Sequence, residues 1–545
     1  MTKTFAFLAS SLCASFLLAT AWTQETAKVA VTLHAAGSES AAINQNPLEV
    51  RIAAGKIRGK EIGAAKVHAF LGIPYAAPPI GALRWVAPQP VAPWNGVLDA
   101  TAFQRHCAQN HDASEDRQYS DSGESEDCLY LNVYTPATGH SGDRLPVMFW
   151  IHGGGYAGGA GSELRHNGDF LPTRGVILVT FNYRLGIFGF LALDGFAAEA
   201  NGHAGNYAFL DMVQALTWVR DNIAAFGGDP RNVTIFGESA GSSAACTLMA
   251  SPLARGLFQK AIGESGGALV GTRRPLGQEL LPDIEVANSA WAKEALGTDD
   301  PAALRTLPTA ALLEAAGGKS PMNFGPVVDG LFLTETVAES YVTGRQAHVP
   351  LMAGWNMDEG VLLVNGKVTA EEFKSKAAVL FPDPDRATEF LRLYPAETDN
   401  EATRSAVDFD GDNLIAYGTW NWLEEHRKTG QSPVYRYHFE LIPPPSKYHG
   451  AEAFHSDEIE YVFGTLDTRP NSTWRPEDRK LSEQMMDYWT NFAKTGNPNG
   501  PGLLEWPVYE AGDPLIHFDA TITVGTDTLR PRYEFLEKGR PTLHF

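Results

Sequence analysis

Phe236-Gly237-Glu238-Ser239-Ala240-Gly241 is preceded by the β-type run Asn232-Val233-Thr234-Ile235 and followed by a small-residue helical pattern, Ser242 to Met249. That context predicts a strand, a sharp turn and a helix, with Ser239 at the tip of the turn. A serine held there sits on a strained backbone that presents its hydroxyl, while the flanking glycines leave room for a substrate and for close helix–strand packing. The helix start also aims its free N–H groups and the positive end of its dipole at the place where an oxyanion would form. The competing reading is a tight turn carrying an inert serine, and the strand before and helix after weigh against it.

Outward from this stretch, the pattern is that of buried parallel strands alternating with helices. Val147 to Ile151 and Val176 to Phe181 are short, continuous apolar runs rich in β-formers. Between Asn206 and Phe226, apolar residues recur at Phe209, Val213, Leu216, Val219, Ile223 and Phe226, one face of a helix stopped by Gly227, Gly228 and Pro230. The order predicts an α/β fold with a large, mostly parallel sheet covered by helices on both faces. Further strands are predicted at Leu48–Ile52, Pro350–Gly354 and Val434–Phe439, and a helix at Arg479–Thr495 with Leu481, Met485, Tyr488, Trp489 and Phe492 inward. The Ala/Leu/Glu-rich region from Leu276 to Tyr341 reads as a helical insertion. Phe70 to Pro79 holds three prolines and is predicted to be ordered but irregular.

A serine hydroxyl becomes a nucleophile when an imidazole takes its proton and a carboxylate orients that imidazole. With a nucleophile elbow in a doubly wound sheet, the chain order is serine, acid, histidine. Glu359 lies just past the Leu351-Met352-Ala353-Gly354 run and before a turn glycine, with Asp358 as its immediate competitor. Of the later histidines, His438 and His517 alternate within strands, whereas His455 sits in a loop from which it can reach a serine at the sheet's end. By position alone, His449 is a rival. After the Val147–Ile151 run comes His152-Gly153-Gly154-Gly155, whose consecutive glycines let backbone N–H groups converge as an anion-binding nest. The N–H groups of Gly154, Gly155 and Ala240 are the predicted oxyanion hole.

These motifs resemble the type-B carboxylesterase family, which includes the cholinesterases and lies within the α/β-hydrolase superfamily. The resemblance rests on Phe70 to Pro79, Glu126-Asp127-Cys128-Leu129-Tyr130-Leu131-Asn132-Val133, the His152–Gly155 loop, Phe236 to Gly241, Asp358-Glu359-Gly360 and His455 to Gly464, spread over nearly the whole chain. It implies an α/β-hydrolase fold with helical insertions over the active site, and a Ser239–His455–Glu359 triad acting through an acyl-enzyme on carboxylic esters, with no cofactor or metal. It favours Glu359 over Asp358 and His455 over His449, and places Glu238, Ser265 and Glu458 in support. A disulfide between Cys107 and Cys128 is implied as well, with ion pairs Arg84–Glu126 and Arg184–Asp211. The same triad would serve an amidase or lactonase, and a non-catalytic adhesion or ligand-binding member is the reading from another class, against which the intact triad stands. The chain departs from the cholinesterase branch: no tryptophan lies between Cys107 and Cys128, only Tyr119, and Leu362 and Leu363 follow the acid where bulky aromatics would stand.

Totals bound the rest. At 44% hydrophobic and 10% aromatic, the 545 residues are globular in composition, not disordered. The net charge of −21 repels nucleic acid and anionic membranes. Residues 1–21 carry Lys3, an apolar stretch from Phe5 to Leu18 and the small-x-small site Ala19-Thr20-Ala21. That is the form of a cleavable secretory signal peptide, so one domain over 22–545 in a secreted or periplasmic protein is expected, with no membrane span. An exported compartment permits disulfides, and the three cysteines after the leader leave one thiol free. The segment between Cys107 and Cys128 holds seven acids and reads as a solvated surface loop.

Overall fold

The computed structural model describes residues 46–539 apart from 111–117, 138–141, 270–278, 318–324, 365, 446–449, 451, 470 and 511. The proposed leader and His449 therefore lie outside the described residues. An eleven-stranded sheet organises the rest, built in chain order from β1 (Lys60–Ile62), β2 (Val67–Pro74), β3 (Tyr130–Thr135), β4 (Leu145–Ile151), β5 (Ile177–Phe181) and β6 (Gly228–Glu238). It continues with β7 (Lys260–Glu264), β8 (Leu351–Asn356), β9 (Val434–Phe439), β10 (Pro514–Phe518) and β11 (Thr523–Thr526). In space the order is β11-β10-β9-β8-β7-β6-β4-β5-β3-β2-β1. Every pair from β10 through β5 is parallel, and antiparallel strands close both edges.

Alternation along the strands explains why the parallel runs are apolar throughout. In β4, Phe149 and Ile151 join one core with Val179, Ile235 and Ala353, while Met148 and Trp150 join a second with Phe236, Ile262 and Met352. Helices α1 (Tyr207–Asn222) and α2 (Ala240–Ala250) close the first core through Phe209, Leu216, Val219, Ala244 and Leu248. Helix α3 (Pro476–Thr495) closes the second through Leu481, Met485, Tyr488, Trp489 and Phe492, the inward set that its periodicity predicts. With both faces covered, the central parallel strands β4 to β8 are buried almost throughout. This is an α/β-hydrolase fold.

Local outcomes follow the chemistry of the chain. The predicted helix over 206–226 ends as an α-helix at Asn222 and tightens to a 3-10 turn, Ile223–Phe226, before Gly227. Among its described residues, the Leu276–Tyr341 region supplies the helices Leu281–Leu296, Pro301–Thr306, Thr309–Ala316 and Val337–Val342. The first three pack with Trp85, Phe188 and Phe196 in a third apolar cluster. Another helix, Asp399–Gly411, lies against the Glu359 turn, where a Cβ on Gly411 would come 3.2 Å from that of Glu359. Residues Asn46–Phe545 form one compact unit. Among the described residues, no helix is long and apolar enough to cross a membrane.

Two expectations are corrected. The segment Phe70–Pro74 is not irregular but the end of β2, buried and paired with β3. Pro74 is its last residue, where a missing N–H costs no ladder bond inside the strand, and the register shift between Phe70 and Ile73 absorbs the left-handed Gly72 (φ 71°). Nor is the acidic segment simply a solvated loop. Asp121 is buried against His106 (2.9 Å), and Glu126 is buried in a two-pronged pair with Arg84, with Nε 2.7 Å from Oε2. Cys107 and Cys128 are joined by a disulfide, while Cys246 is buried as a free thiol. Arg184 pairs with Asp211 at 2.7 and 2.8 Å, as the resemblance implied.

Candidate active site

Ser239 lies between β6 and α2 as the N-cap of the helix, with φ 55° and ψ −119°, a left-handed position for a residue that carries a Cβ. Its N–H donates to the Glu264 carbonyl at 2.8 Å, which ties the strained residue to the neighbouring strand β7. The turn is sharp because α2 lies almost on β4: a Cβ on Gly241 would sit 1.9 Å from the Ile151 carbonyl oxygen. Only glycine allows that approach.

The loop leaving β4 comes to the same place. A Cβ on Gly153 would meet the Glu238 carboxylate at 2.6 Å and Ser239 Cβ at 3.2 Å, so this loop packs directly on the elbow. Gly154 (φ 105°) and Gly155 (φ 61°) follow in left-handed conformations, and the Gly154 carbonyl turns away to accept from Ala157 and Gly158. Successive residues of that kind build concave runs of N–H groups. Ala240 is buried at the first position of α2.

Glu359 and His455 arrive from separate strand ends. Glu359 lies in a short 3-10 turn after β8, where its Oε1 accepts from the Asn356 backbone N–H at 2.8 Å. Its Oε2 lies 2.5 Å from His455 Nδ1, and because a carboxylate oxygen accepts, the proton of that bond belongs to Nδ1. The competing Asp358 has another task. Its side chain accepts from the Ala453 N–H at 2.8 Å, its own N–H donates to the Ala453 carbonyl, and it pairs with Arg404. Asp358 thereby holds the loop that carries His455.

His455 Nε2 lies 3.1 Å from Glu238 Oε1, so Glu359 and His455 meet directly while Ser239 adjoins the pair through the residue that precedes it. Behind them lies a buried carboxyl cluster. Glu458 accepts from Ser265 Oγ at 3.3 Å and from Asn356 Nδ2 at 2.5 Å. Glu264, not foreseen from the sequence, accepts from Trp489 Nε1 at 2.7 Å. Its signal was register, for Glu264 stands opposite Glu238 on adjacent parallel strands.

Electrostatics divides these groups. Burial pushes the Glu264 carboxyl up to about 8, with Glu238 adding to the rise. Glu458 is driven well up, first by burial and then by Glu238, Glu264 and Glu359. Burial pulls the His455 imidazole down, but Glu238, Glu359 and Glu458 outweigh it and push it up to about 10.

A strained serine at a helix start, left-handed glycines in the loop beside it and an imidazole in contact with a carboxylate are an arrangement suited to acyl transfer. The sequence profile of the carboxylesterase family matches residues 46–536. The chain is 36% identical over 491 residues to para-nitrobenzyl esterase of Bacillus subtilis (strain 168), covering 87% of this chain and 95% of that one. It is 35% identical over 484 residues to fumonisin B1 esterase of Sphingopyxis macrogoltabida (86% of each). With carboxylesterase 5A of Felis catus it shares 37% over 513 residues (88% and 92%). A solved PNB esterase structure superposes with a TM-score of 0.75 at 34% identity, covering 90% of this chain and all of that one. The chain belongs to the carboxylesterase family.

Proposed function

We propose that this carboxylesterase is exported and cleaves carboxylic esters with Ser239 as nucleophile, His455 as general base and acid, and Glu359 as the group that orients His455. The observation that carries this reading is the 2.5 Å contact between Glu359 and His455, brought beside a strained serine at a helix start. Ser239 Oγ attacks the ester carbonyl as Nε2 takes its proton. The tetrahedral oxyanion is held by the N–H groups of Gly154, Gly155 and Ala240. Collapse expels the alcohol, which receives the proton from His455, and water then releases the acid by the same steps in reverse order. For this, Nε2 must exchange Glu238 for the Ser239 hydroxyl, a neighbour one residue along the chain.

Export is supported by the leader-like residues 1–21 and by the Cys107–Cys128 disulfide, a bond that persists in oxidising compartments. The region from residue 22 onward acts as a single catalytic domain. Because triad members work as a unit, Ser239→Ala and His455→Ala should each lower turnover of p-nitrophenyl acetate by about 10⁴-fold or more. Near-wild-type turnover in either variant contradicts the mechanism. Retained activity in His455→Ala together with its loss in His449→Ala would transfer the base to His449.

A further inference from the structure

A second cluster of chemistry-bearing side chains lies apart from Ser239, where β9 meets β10. His438 and His517 are register partners on these adjacent parallel strands. Glu440 follows His438 by two residues, and its N–H still donates to the Phe518 carbonyl, so the ladder continues to it. A period of two places the His438 and Glu440 side chains on one face, and register adds His517 to the same face.

The three converge closely. Glu440 Oε1 lies 2.9 Å from His438 Nδ1 and 2.6 Å from His517 Nδ1, and one potential ligand atom from each residue falls within 4.8 Å of the others. Their side chains are 11%, 24% and 20% exposed for His438, His517 and Glu440, enclosed but reachable. All three line a cavity of about 320 Å³ that is also bounded by Trp355, Met357 and Glu359.

Two imidazoles and one carboxylate form the protein ligand set of zinc sites that keep a fourth position open. Tetrahedral bonds of about 2.0–2.2 Å separate ligand atoms by roughly 3.3 Å. Rotation of the Glu440 carboxylate away from the two nitrogens supplies that opening, and the cavity offers room for the fourth ligand. We propose that His438, Glu440 and His517 form a binding site for a divalent transition metal of the zinc type, with its open position facing this cavity. Glu359 borders the same cavity, but none of the three ligands is assigned a role in the Ser239 centre, and the proposal does not depend on that assignment.

The test uses the full chain, stripped with a chelator and titrated with Co²⁺ as a spectroscopic stand-in. One equivalent should bind with the visible d–d bands of four- or five-coordinate cobalt, and one equivalent of Zn²⁺ should remove them. His517→Gln and Glu440→Gln should each weaken cobalt binding by about tenfold or more, since even outer partners of metal ligands cost that much. His438→Gln should do the same, and circular dichroism with retained ester turnover shows that each variant is folded. If His438→Gln does not fold, the other two decide. Absence of the cobalt bands, or bands that survive His517→Gln and Glu440→Gln, overturns the proposal and leaves the cluster a hydrogen-bonded bracket.

Discussion

At His455 two effects of opposite sign meet. Burial favours the neutral imidazole, the carboxylates of Glu238, Glu359 and Glu458 favour imidazolium, and the carboxylates prevail, pushing the group up to about 10. A base must be unprotonated to act, so kcat/KM should rise with pH on the alkaline side of neutrality. Glu238→Gln isolates one contributor. At 3.1 Å and an effective dielectric constant of about 20, one unit charge is worth roughly 5 kcal/mol. Removing that negative charge disfavours the imidazolium, so the limb should move to lower pH, by at least about one unit even after solvent and neighbours compensate. The plateau should fall too, because the same charge stabilises the imidazolium that forms in the transition state. A kcat/KM profile on a neutral ester, taken for both proteins, reads both effects, and an unmoved limb contradicts the role given to Glu238. Of this cluster, the sequence singles out Ser239, Glu359 and His455 because each stands in a particular local context, an elbow, a strand end or a loop, and the structure brings Glu359 and His455 into contact. Glu264 was hidden because it ends an otherwise apolar strand, and only pairing with β6 shows that it stands opposite Glu238.

Among the elements, the segment between Cys107 and Cys128 carries more structure than its composition suggests. The disulfide joins cysteines 21 positions apart in sequence, and chain-entropy arguments value such a closure at about 3 kcal/mol. Within it, Glu126 grips Arg84, whose Nη1 also donates to the Leu307 carbonyl at 2.8 Å, so the loop is fastened to the helices beyond Leu281. Replacing both cysteines by serine should lower unfolding stability by about 2–4 kcal/mol in denaturant titrations while the far-ultraviolet spectrum is kept. Stability equal to the parent would mean that the Arg84 and Asp121 contacts hold the loop unaided. Cys246, buried on α2 with its thiol pushed up to about 12 by burial, should resist alkylation until the chain unfolds. Composition misread this loop because seven acids in a row of polar residues look solvated, and the partners of Asp121 and Glu126 lie elsewhere in the chain. The Phe70–Pro74 misreading has the same origin. Prolines forbid a strand interior, but whether Pro74 is interior depends on where its partner β3 begins, at Tyr130. Where burial is two-sided, as in β4 and β5, the apolar run alone suffices and the sequence is read correctly.

For the molecule as a whole, the net charge of −21 sets a long-range field that draws cations toward the surface, choline esters included. At physiological salt that field is screened within about 8 Å, so it affects encounter more than holding. Holding a quaternary ammonium requires an aromatic face at the site, worth about 2 kcal/mol or more when desolvated, or about thirtyfold in affinity. The disulfide segment supplies Tyr119 in place of a tryptophan, and that ring is stacked on His106 with centroids 4.4 Å apart. One face of Tyr119 is therefore already covered. The acids nearby are no substitute, since Asp121 and Glu126 are committed to His106 and Arg84. The sharpest comparison is acetylcholine against 3,3-dimethylbutyl acetate, its uncharged isostere, because shape and acyl group are then held constant. The neutral ester should have the higher specificity constant by about tenfold or more at physiological salt, the desolvation of the cation being left unrepaid. Lowering the salt should narrow the gap, since the unscreened field then favours encounter with the cation alone. Equal constants at physiological salt would require an aromatic cage built from residues outside the disulfide segment.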